Sequence, residues 1–297
     1  MASPRMPRPL DHLVLPVADL DVARARHQAL GFTVAPAAQH PFGTENACIF
    51  FADGTYLEPL AIASREGCEA AAIAGNVFVA RDQAFRFRNG QEGLSAFVVG
   101  SQDAHADHLR FEAAGLSGGP MLEFARVMTG ADGVAADARF RLAFAADLRS
   151  PDFYTVAVER VQVPALDRSA LIAHENGVTG IAEVVLTEQN PTDFQYFLQE
   201  VANNRAVEAH SFGMSIALDG ARISVLTPEG FDAWYGGTAG EATRGLRGRA
   251  VVFSVADLPG LAARLQNTGI AMRRIGGHIL VDAAPGQGAI YAFKDMT

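Results

Sequence analysis

Apolar and polar residues alternate along short stretches of the chain, and these stretches follow one another in a fixed order. Residues 12–17 form an apolar run, which is typical of a strand. Residues 20–30 then carry apolar side chains at roughly helical spacing, and Gly31 follows as a helix-ending glycine. Three further strands are predicted at residues 32–34, 47–52 and 55–62. Residues 10–62 are therefore expected to form one βαβββ unit.

The same order of elements returns three more times. Further units are predicted at about residues 93–163, 179–228 and 248–297, and such repetition is sought before local structure. The first and third units share a detail, because His40-Pro41-Phe42-Gly43 corresponds to His210-Ser211-Phe212-Gly213. The connector at 63–93 is expected to carry its own helix within 69–80.

The predicted fold class is α+β, with four βαβββ units paired into two half-barrel domains. The expected domains are residues 1–165, which contain the candidate site, and residues 166–297. A chain of 297 residues agrees with two domains of about 150 residues. Within this scheme His12 of the first unit falls near Glu183 of the third, and Glu58 near Ser224.

Composition excludes several classes of protein. Hydrophobic residues make up 49% of the chain and charged residues 19%, so disorder is not expected. The net charge of −9 argues against a nucleic-acid binder or a polybasic membrane-surface protein. We find no signal peptide and no run of 18 apolar residues, which predicts a cytoplasmic location. The two isolated cysteines, Cys48 and Cys68, fit neither a zinc knuckle nor a disulfide framework.

Three segments of the first unit carry a family resemblance. They are Leu10-Asp11-His12-Leu13-Val14, the segment at 40–46 and Tyr56-Leu57-Glu58. Together they resemble the glyoxalase-like domain group of the vicinal-oxygen-chelate superfamily, which includes glyoxalases, bleomycin resistance proteins and ring-cleaving dioxygenases. One departure is that Gly43-Thr44 follow Pro41 with only Phe42 between them.

The resemblance implies a divalent metal ion inside a cupped half-barrel. His12 matches the first-strand ligand position and Glu58 the last-strand position, and Glu159 is the candidate third ligand from the second unit. Imidazole and carboxylate suit Fe, Mn, Ni or Zn. Glu58 and His40 are the candidate catalytic residues, and the candidate substrate-binding residues are Thr44, Asn46 and His210. Neither the strand start at 95–96 nor the last strand at 288–293 offers a strong ligand.

The function implied by the resemblance is a metal-dependent enzyme acting on a small molecule with vicinal oxygens. Isomerase or lyase chemistry and extradiol-type ring cleavage both remain open. The incomplete ligand set supports an alternative, a non-catalytic protein that binds or sequesters a small molecule. A purely structural interpretation also remains open, in which His12 is a hydrogen-bonded histidine at the start of a strand and Glu58 faces solvent. The expected partner is a small-molecule substrate, with no nucleic acid or membrane, and the chain acts alone or as a homodimer.

Overall fold

Two β-sheets with helices packed between them form the framework of the chain. The computed structural model describes residues 6–129, 135–164, 167–237 and 244–296. The first sheet contains β1 Leu10–Pro16, β2 Ala38–Gln39, β3 Thr44–Asn46, β4 Ile49–Phe50, β5 Tyr56–Ile62, β6 Ala96–Ser101, β7 Leu122–Thr129, β8 Ala135–Ala145 and β9 Tyr154–Gln162. The second contains β10 Val178–Thr187, β11 Glu208–His210, β12 Gly213–Ala217, β13 Arg222–Leu226, β14 Arg247–Val255, β15 Arg273–Ile275, β16 His278–Val281 and β17 Ile290–Asp295. The expected division between residues 165 and 166 falls outside the described residues.

Helices follow the first strand of every unit and fill the connectors. The α-helices are α1 Leu20–Ala29, α2 Arg65–Ile73, α3 Val77–Asn89, α4 Ala104–Ala113, α5 Gln195–Ala202, α6 Pro228–Tyr235 and α7 Leu258–Asn267. Short 3-10 helices lie at Ser169–Leu171 and Pro191–Phe194. None of the helices in the described ranges combines the length and the apolar character needed to cross a membrane.

Strand pairing confirms the four βαβββ units. In each unit the first strand pairs in parallel with the last, giving β1–β5, β6–β9, β10–β13 and β14–β17. The first strands of neighbouring units pair in antiparallel fashion, β1 with β6 and β10 with β14. Two units therefore share each sheet, and the first sheet curls into a half-barrel. The predicted α+β fold is confirmed.

Strict alternation along the strands separates two faces of each sheet. In β1, Leu13 and Leu15 point toward the helices, while His12 and Val14 point into the concave face. The helix-covered faces of both sheets share one core. Phe32 from the first half joins that core beside Phe253, with ring centroids 5.5 Å apart. The two halves thus pack against each other through their helix-covered faces, which leaves the concave faces apart.

A connector helix fills part of each concave face. In the first sheet, α3 places Phe78 and Val79 against the apolar concave residues. Arg86 fixes this helix, because its guanidinium donates to the backbone oxygens of Val17 at 3.0 Å and Leu60 at 2.8 Å. In the second sheet, α6 packs two aromatic rings, including that of Phe231, against the corresponding surface. We call the concave faces of the two sheets the first and second cup. The first cup keeps a cavity beside α3.

Three predictions about local elements differ from the structure. Residues 32–34 form no strand, because the Thr33 N–H donates to Nδ1 of His174 in the connector and not to a neighbouring strand. The predicted strand at 47–52 is reduced to β4, because strand pairing is interrupted between the end of β3 and the start of β4. The connector at 63–93 carries two helices, α2 and α3, in place of one.

Candidate active site

The cavity in the first cup has a polar end and an apolar wall. Its volume is about 50 Å³, and about 470 Å³ when the solvent-filled mouth is counted. The polar end is formed by His12, His40, Tyr56, Glu58, Arg126 and Arg160. The wall is formed by Phe42, Phe78, Phe124, Phe140, Leu142 and Val158. A concave, mostly apolar cavity with a few convergent polar groups is the usual form of a small-molecule site.

His12 and Glu58 face each other across two parallel strands. Glu58 lies opposite Val14 in the β1–β5 register, on the same concave face as His12. Nε2 of His12 is 3.4 Å from Oε2 of Glu58. Both side chains are buried, so the outward orientation of Glu58 and a solvated His12 do not occur. These two candidate ligands are therefore brought together.

Asp11 orients the His12 ring. Nδ1 of His12 donates to Oδ1 of Asp11 at 2.6 Å. Adjacent strand residues normally point to opposite faces, but the β1–β6 register shifts between Leu10 and His12. Such a bulge places two consecutive residues against one partner and re-aims a side chain. The result directs Nε2 of His12 toward Glu58, as in the carboxylate–histidine arrangements that support metal ligands.

The segment at 40–46 supports Glu58 from the other side. Nδ2 of Asn46 donates to Oε1 of Glu58 at 2.6 Å. Nε2 of His40 lies 3.7 Å from the same oxygen, and Nδ1 of His40 shares a 2.9 Å hydrogen bond with Oγ1 of Thr44. Thr44 and Asn46 are 0% and 1% exposed and do not line the cavity. They hold His40 and Glu58 in place from behind.

Arg160 and Tyr56 complete the polar end. Nη2 of Arg160 donates to both oxygens of Asp11, at 2.8 and 3.0 Å. The guanidinium also lies 5.9 Å from the centre of the Tyr56 ring, and that ring stacks on His12 with centroids 4.3 Å apart. Asp11, His12, Tyr56 and Arg160 thus form one connected group, buried at His12 and open to solvent at Arg160, in which each side chain restrains the next.

Burial and pairing set the protonation states of the site. Burial lowers the pKa of His12, but the hydrogen bonds and charges of Asp11 and Glu58 outweigh it, so the pKa lies above its usual value. Burial alone would raise the pKa of Glu58, whereas the hydrogen bond and charge of His12 bring it down to about 2. Burial lowers the pKa of His40 to about 4. At neutral pH, with no metal ion, His12 is an imidazolium, Glu58 a carboxylate and His40 neutral.

Two of the expected site residues lie elsewhere. Glu159 projects from the opposite face of β9, since its neighbours Val158 and Arg160 line the cavity. Its carboxylate accepts from the N–H of Ala104 at 3.0 Å, at the start of α4. His210 is exposed on β11 of the second sheet and stacks on Trp234 with centroids 5.1 Å apart.

The four units can be aligned through the helix caps. The residues at the N-terminal caps of the helices are Asp19, Asp103, Asn190 and Asp257. Counting back seven positions from each cap gives the equivalent first-strand residues, which are His12, Ala96, Glu183 and Ala250. In each unit, the residue two positions after this first-strand residue pairs with a residue of the parallel last strand. Those last-strand residues are Glu58, Val156, Ser224 and Ala292. Only the first unit carries an imidazole and a carboxylate at these positions. The second unit places Ala96 and Val156 there, and both belong to the apolar cluster that packs on α3.

The donor set fits a divalent metal in part. His12 and Glu58 are suitable ligands that converge on the cavity, and Asp11 and Asn46 support them. In the described part of the chain, however, no three His, Cys, Asp or Glu side chains are arranged to hold a metal ion. Catalytic sites usually supply three protein ligands. Two protein donors would leave more positions to substrate and water.

The sequence alone predicted no role at the site for Asp11, Tyr56 or Arg126. Asp11 and Tyr56 lie within the motif segments. The bulge in β1 that brings Asp11 to the His12 ring leaves no signal in the sequence. Arg126 and Arg160 follow the period of two on β7 and β9, each on the inward side. That period could have identified them once the registers of β7 and β9 were known.

Comparison with known proteins agrees with this architecture. The family described as glyoxalase-like domain matches residues 10–202. No curated protein matches the chain.

Three solved structures share the fold. A hypothetical protein from Staphylococcus aureus has a TM-score of 0.65 at 13% identity, covering 97% of this chain and 99% of its own. A mutant of 4-hydroxymandelate synthase from Streptomyces coelicolor has a TM-score of 0.61 at 15% identity, covering 98% and 93%. The Mn(II)-bound glyoxalase from Novosphingobium aromaticivorans has a TM-score of 0.55 at 12% identity, covering 98% and 83%. Because the family model matches residues 10–202, well over half of the chain, the chain belongs to the glyoxalase-like domain family.

Proposed function

We propose that the chain is a metal-dependent enzyme that acts on a small molecule with vicinal oxygens in the first cup. The observation that carries the proposal is the convergence of His12 and Glu58, 3.4 Å apart, on this partly apolar cavity. A similarly folded glyoxalase is bound to Mn(II), which supports a metal-using chemistry here. The proposed metal is Fe, Mn, Ni or Zn.

His12 and Glu58 would hold the metal through Nε2 and a carboxylate oxygen. A divalent metal in this place supplies Lewis-acid polarisation of a substrate oxygen. Asp11 keeps Nε2 of His12 directed at the cavity, and Asn46 keeps Glu58 from rotating away. Because metal ligation requires a neutral imidazole, His12 must release its proton on binding the metal.

His40 is the side chain best suited to accept a proton from substrate. Its pKa of about 4 leaves it neutral near pH 7, and Nε2 faces the carboxylate end of the cavity. Thr44 shares the hydrogen bond at Nδ1 and so fixes the ring. Glu58, with a pKa of about 2, is the weaker base of the two.

Two reaction types are separated by oxygen consumption. Purified protein would be loaded with each metal in turn and supplied with a 2-oxoaldehyde hemithioacetal or a catechol. Metal-dependent isomerisation of the hemithioacetal without oxygen uptake supports lyase or isomerase chemistry. Stoichiometric oxygen uptake with the catechol supports ring cleavage. Absence of turnover with every metal and both substrate classes counts against the proposal.

One observation favours a second function, a non-catalytic protein that binds a small molecule. The described residues provide no three-ligand metal group, and without metal the His12 imidazolium is already paired with Asp11 and Glu58. Under this alternative the cavity would bind its ligand with unchanged affinity after metal removal. A small molecule that co-purifies in metal-free protein and is released unchanged on unfolding would support it.

A further inference from the structure

Arg126 places an unpaired positive charge on the wall of the cavity. It lies on β7, and its guanidinium sits 5.8 Å from the centre of the Phe140 ring. Nε and Nη1 are buried and have no hydrogen-bond partner among the described residues. Buried polar atoms of an arginine are nearly always paired, because an unpaired one loses its hydration without compensation. Two such atoms on one side chain facing a cavity indicate that a ligand supplies the partner.

The other charged side chains at the polar end of the cavity already have partners. Arg160 is paired with Asp11, and His12 lies between Asp11 and Glu58. Among the described residues, the buried Nε and Nη1 of Arg126 have no such partner. The side chain that remains available to an anionic ligand in this cavity is therefore Arg126.

The shape of the guanidinium and the apolar wall define the anion. A carboxylate can bind the Nε–Nη2 edge or the Nη1–Nη2 edge of a guanidinium through both of its oxygens, and either edge gives one of the two unpartnered nitrogens of Arg126 a partner. The surrounding wall consists of the rings of Phe42, Phe78, Phe124 and Phe140. We propose that the ligand of this cavity is an apolar monocarboxylate whose carboxylate binds Arg126 and whose body packs on these rings. This inference concerns the cavity of the proposed function, but it rests on Arg126 and not on the metal ligands.

The test compares phenylacetate with phenylacetamide, which has nearly the same shape and no charge. Calorimetric titrations would be made with metal-free protein, with Arg126→Gln, and with Arg139→Gln as a matched control on the exposed face of the neighbouring strand β8. The unmodified protein and the control are expected to bind phenylacetate about tenfold or more tightly than the amide. Arg126→Gln should abolish that preference. Because the buried Nε and Nη1 of Arg126 have no hydrogen-bond partner among the described residues, the variant should unfold at the same temperature or higher.

Two results would overturn the inference. One is equal binding of the acid and the amide by the unmodified protein. The other is a preference for the acid that persists in Arg126→Gln, which would place the carboxylate elsewhere in the cavity. The use of metal-free protein separates this test from that of the proposed function, since failure to bind a metal leaves the expected preference unchanged.

Discussion

Nε2 of His12 and Oε2 of Glu58 lie 3.4 Å apart across neighbouring parallel strands. Neither residue is adjacent to the other in the register, because His12 pairs with Tyr56 while Glu58 pairs with Val14. His12 and Glu58 therefore lie diagonally across the two strands, and because both side chains point into the concave face they converge on one point. The equivalent diagonal in the other three units contains no imidazole. The first unit alone thus retains the chemistry expected of this fold within the described residues.

Replacing Asp11 by Asn tests how the His12 ring is oriented. Asp11 accepts the Nδ1–H of His12 at 2.6 Å, and loss of such a supporting carboxylate typically weakens metal binding about 10- to 100-fold. We expect Asp11→Asn to raise the dissociation constant for Mn²⁺ by that factor. Asp103→Asn serves as the control, because it makes the same change at the cap of α4, where Asn is an equally good capping residue. Equal affinities of the two variants would show that Asp11 does not support a ligand.

Gly43 is expected to be irreplaceable in the turn that carries His40. Its φ is +91°, and an added Cβ would lie 2.7 Å from the backbone N of Cys68 and 2.8 Å from the backbone O of Ser64. Gly54 has the same φ of +91° but no atom within 4 Å of the added Cβ. We expect Gly54→Ala to cost about 1 kcal/mol of unfolding free energy through backbone strain. Gly43→Ala should cost about 1 to 3 kcal/mol more through the clash. Urea denaturation measures both, and equal losses would contradict the packing described at Gly43.

The second cup should contribute to stability without affecting the site. Phe231 of α6 is 1% exposed and packs on Val185, Val252 and neighbouring apolar residues. We expect Phe231→Ala to lower the unfolding free energy by about 3 to 5 kcal/mol. Trp234→Ala on the same helix, at a position 41% exposed, should cost about 0.5 kcal/mol. Mn²⁺ affinity of the folded variants should be unchanged; a loss of affinity in Phe231→Ala would link the second cup to the site.

Because His27 is buried, we expect the protein to lose stability in mild acid. Its Nδ1 donates to the Ala23 oxygen and its Nε2 lies 2.8 Å from the Tyr291 hydroxyl, in a buried position that disfavours a charged ring. Burial lowers its pKa from 6.5 to about 4. The unfolded chain therefore binds the proton more readily, and the stability from His27 is complete above pH 6.5 and lost as pH falls toward 4.

Denaturation at pH 7 and pH 5 isolates this contribution. Between these two values the unmodified protein should lose about 2 kcal/mol more than His27→Gln. The exposed His105, replaced by Gln, provides the control and should behave as the unmodified protein. His40, whose pKa is also about 4, contributes in the same direction in all three proteins. An identical pH dependence in His27→Gln and the unmodified protein would contradict the assigned ring state.

The repeat pattern made the architecture predictable, whereas the sequence left the direction of Glu58 open; in the structure Glu58 lies inside with Leu60, while Leu57 faces the helices. Glu159 shows the limit of such reasoning, because a shift of one residue on β9 exchanges the inward Arg160 for the outward Glu159. Residues 32–34 carry strand-forming side chains, yet their hydrogen bonds go to the connector. Register and long-range pairing are set by tertiary contacts, which no single stretch of sequence contains.

The central claim is that His12 and Glu58 together hold a divalent metal. The most direct test is titration of metal-free protein with Mn²⁺, followed by loss of the free-ion electron paramagnetic resonance signal. The account predicts one bound Mn²⁺ per chain, lost in His12→Ala and in Glu58→Gln and retained in Glu159→Gln, whose side chain lies on the opposite face of β9. No saturable binding by the folded unmodified protein, or binding that survives both first-cup substitutions, would contradict it.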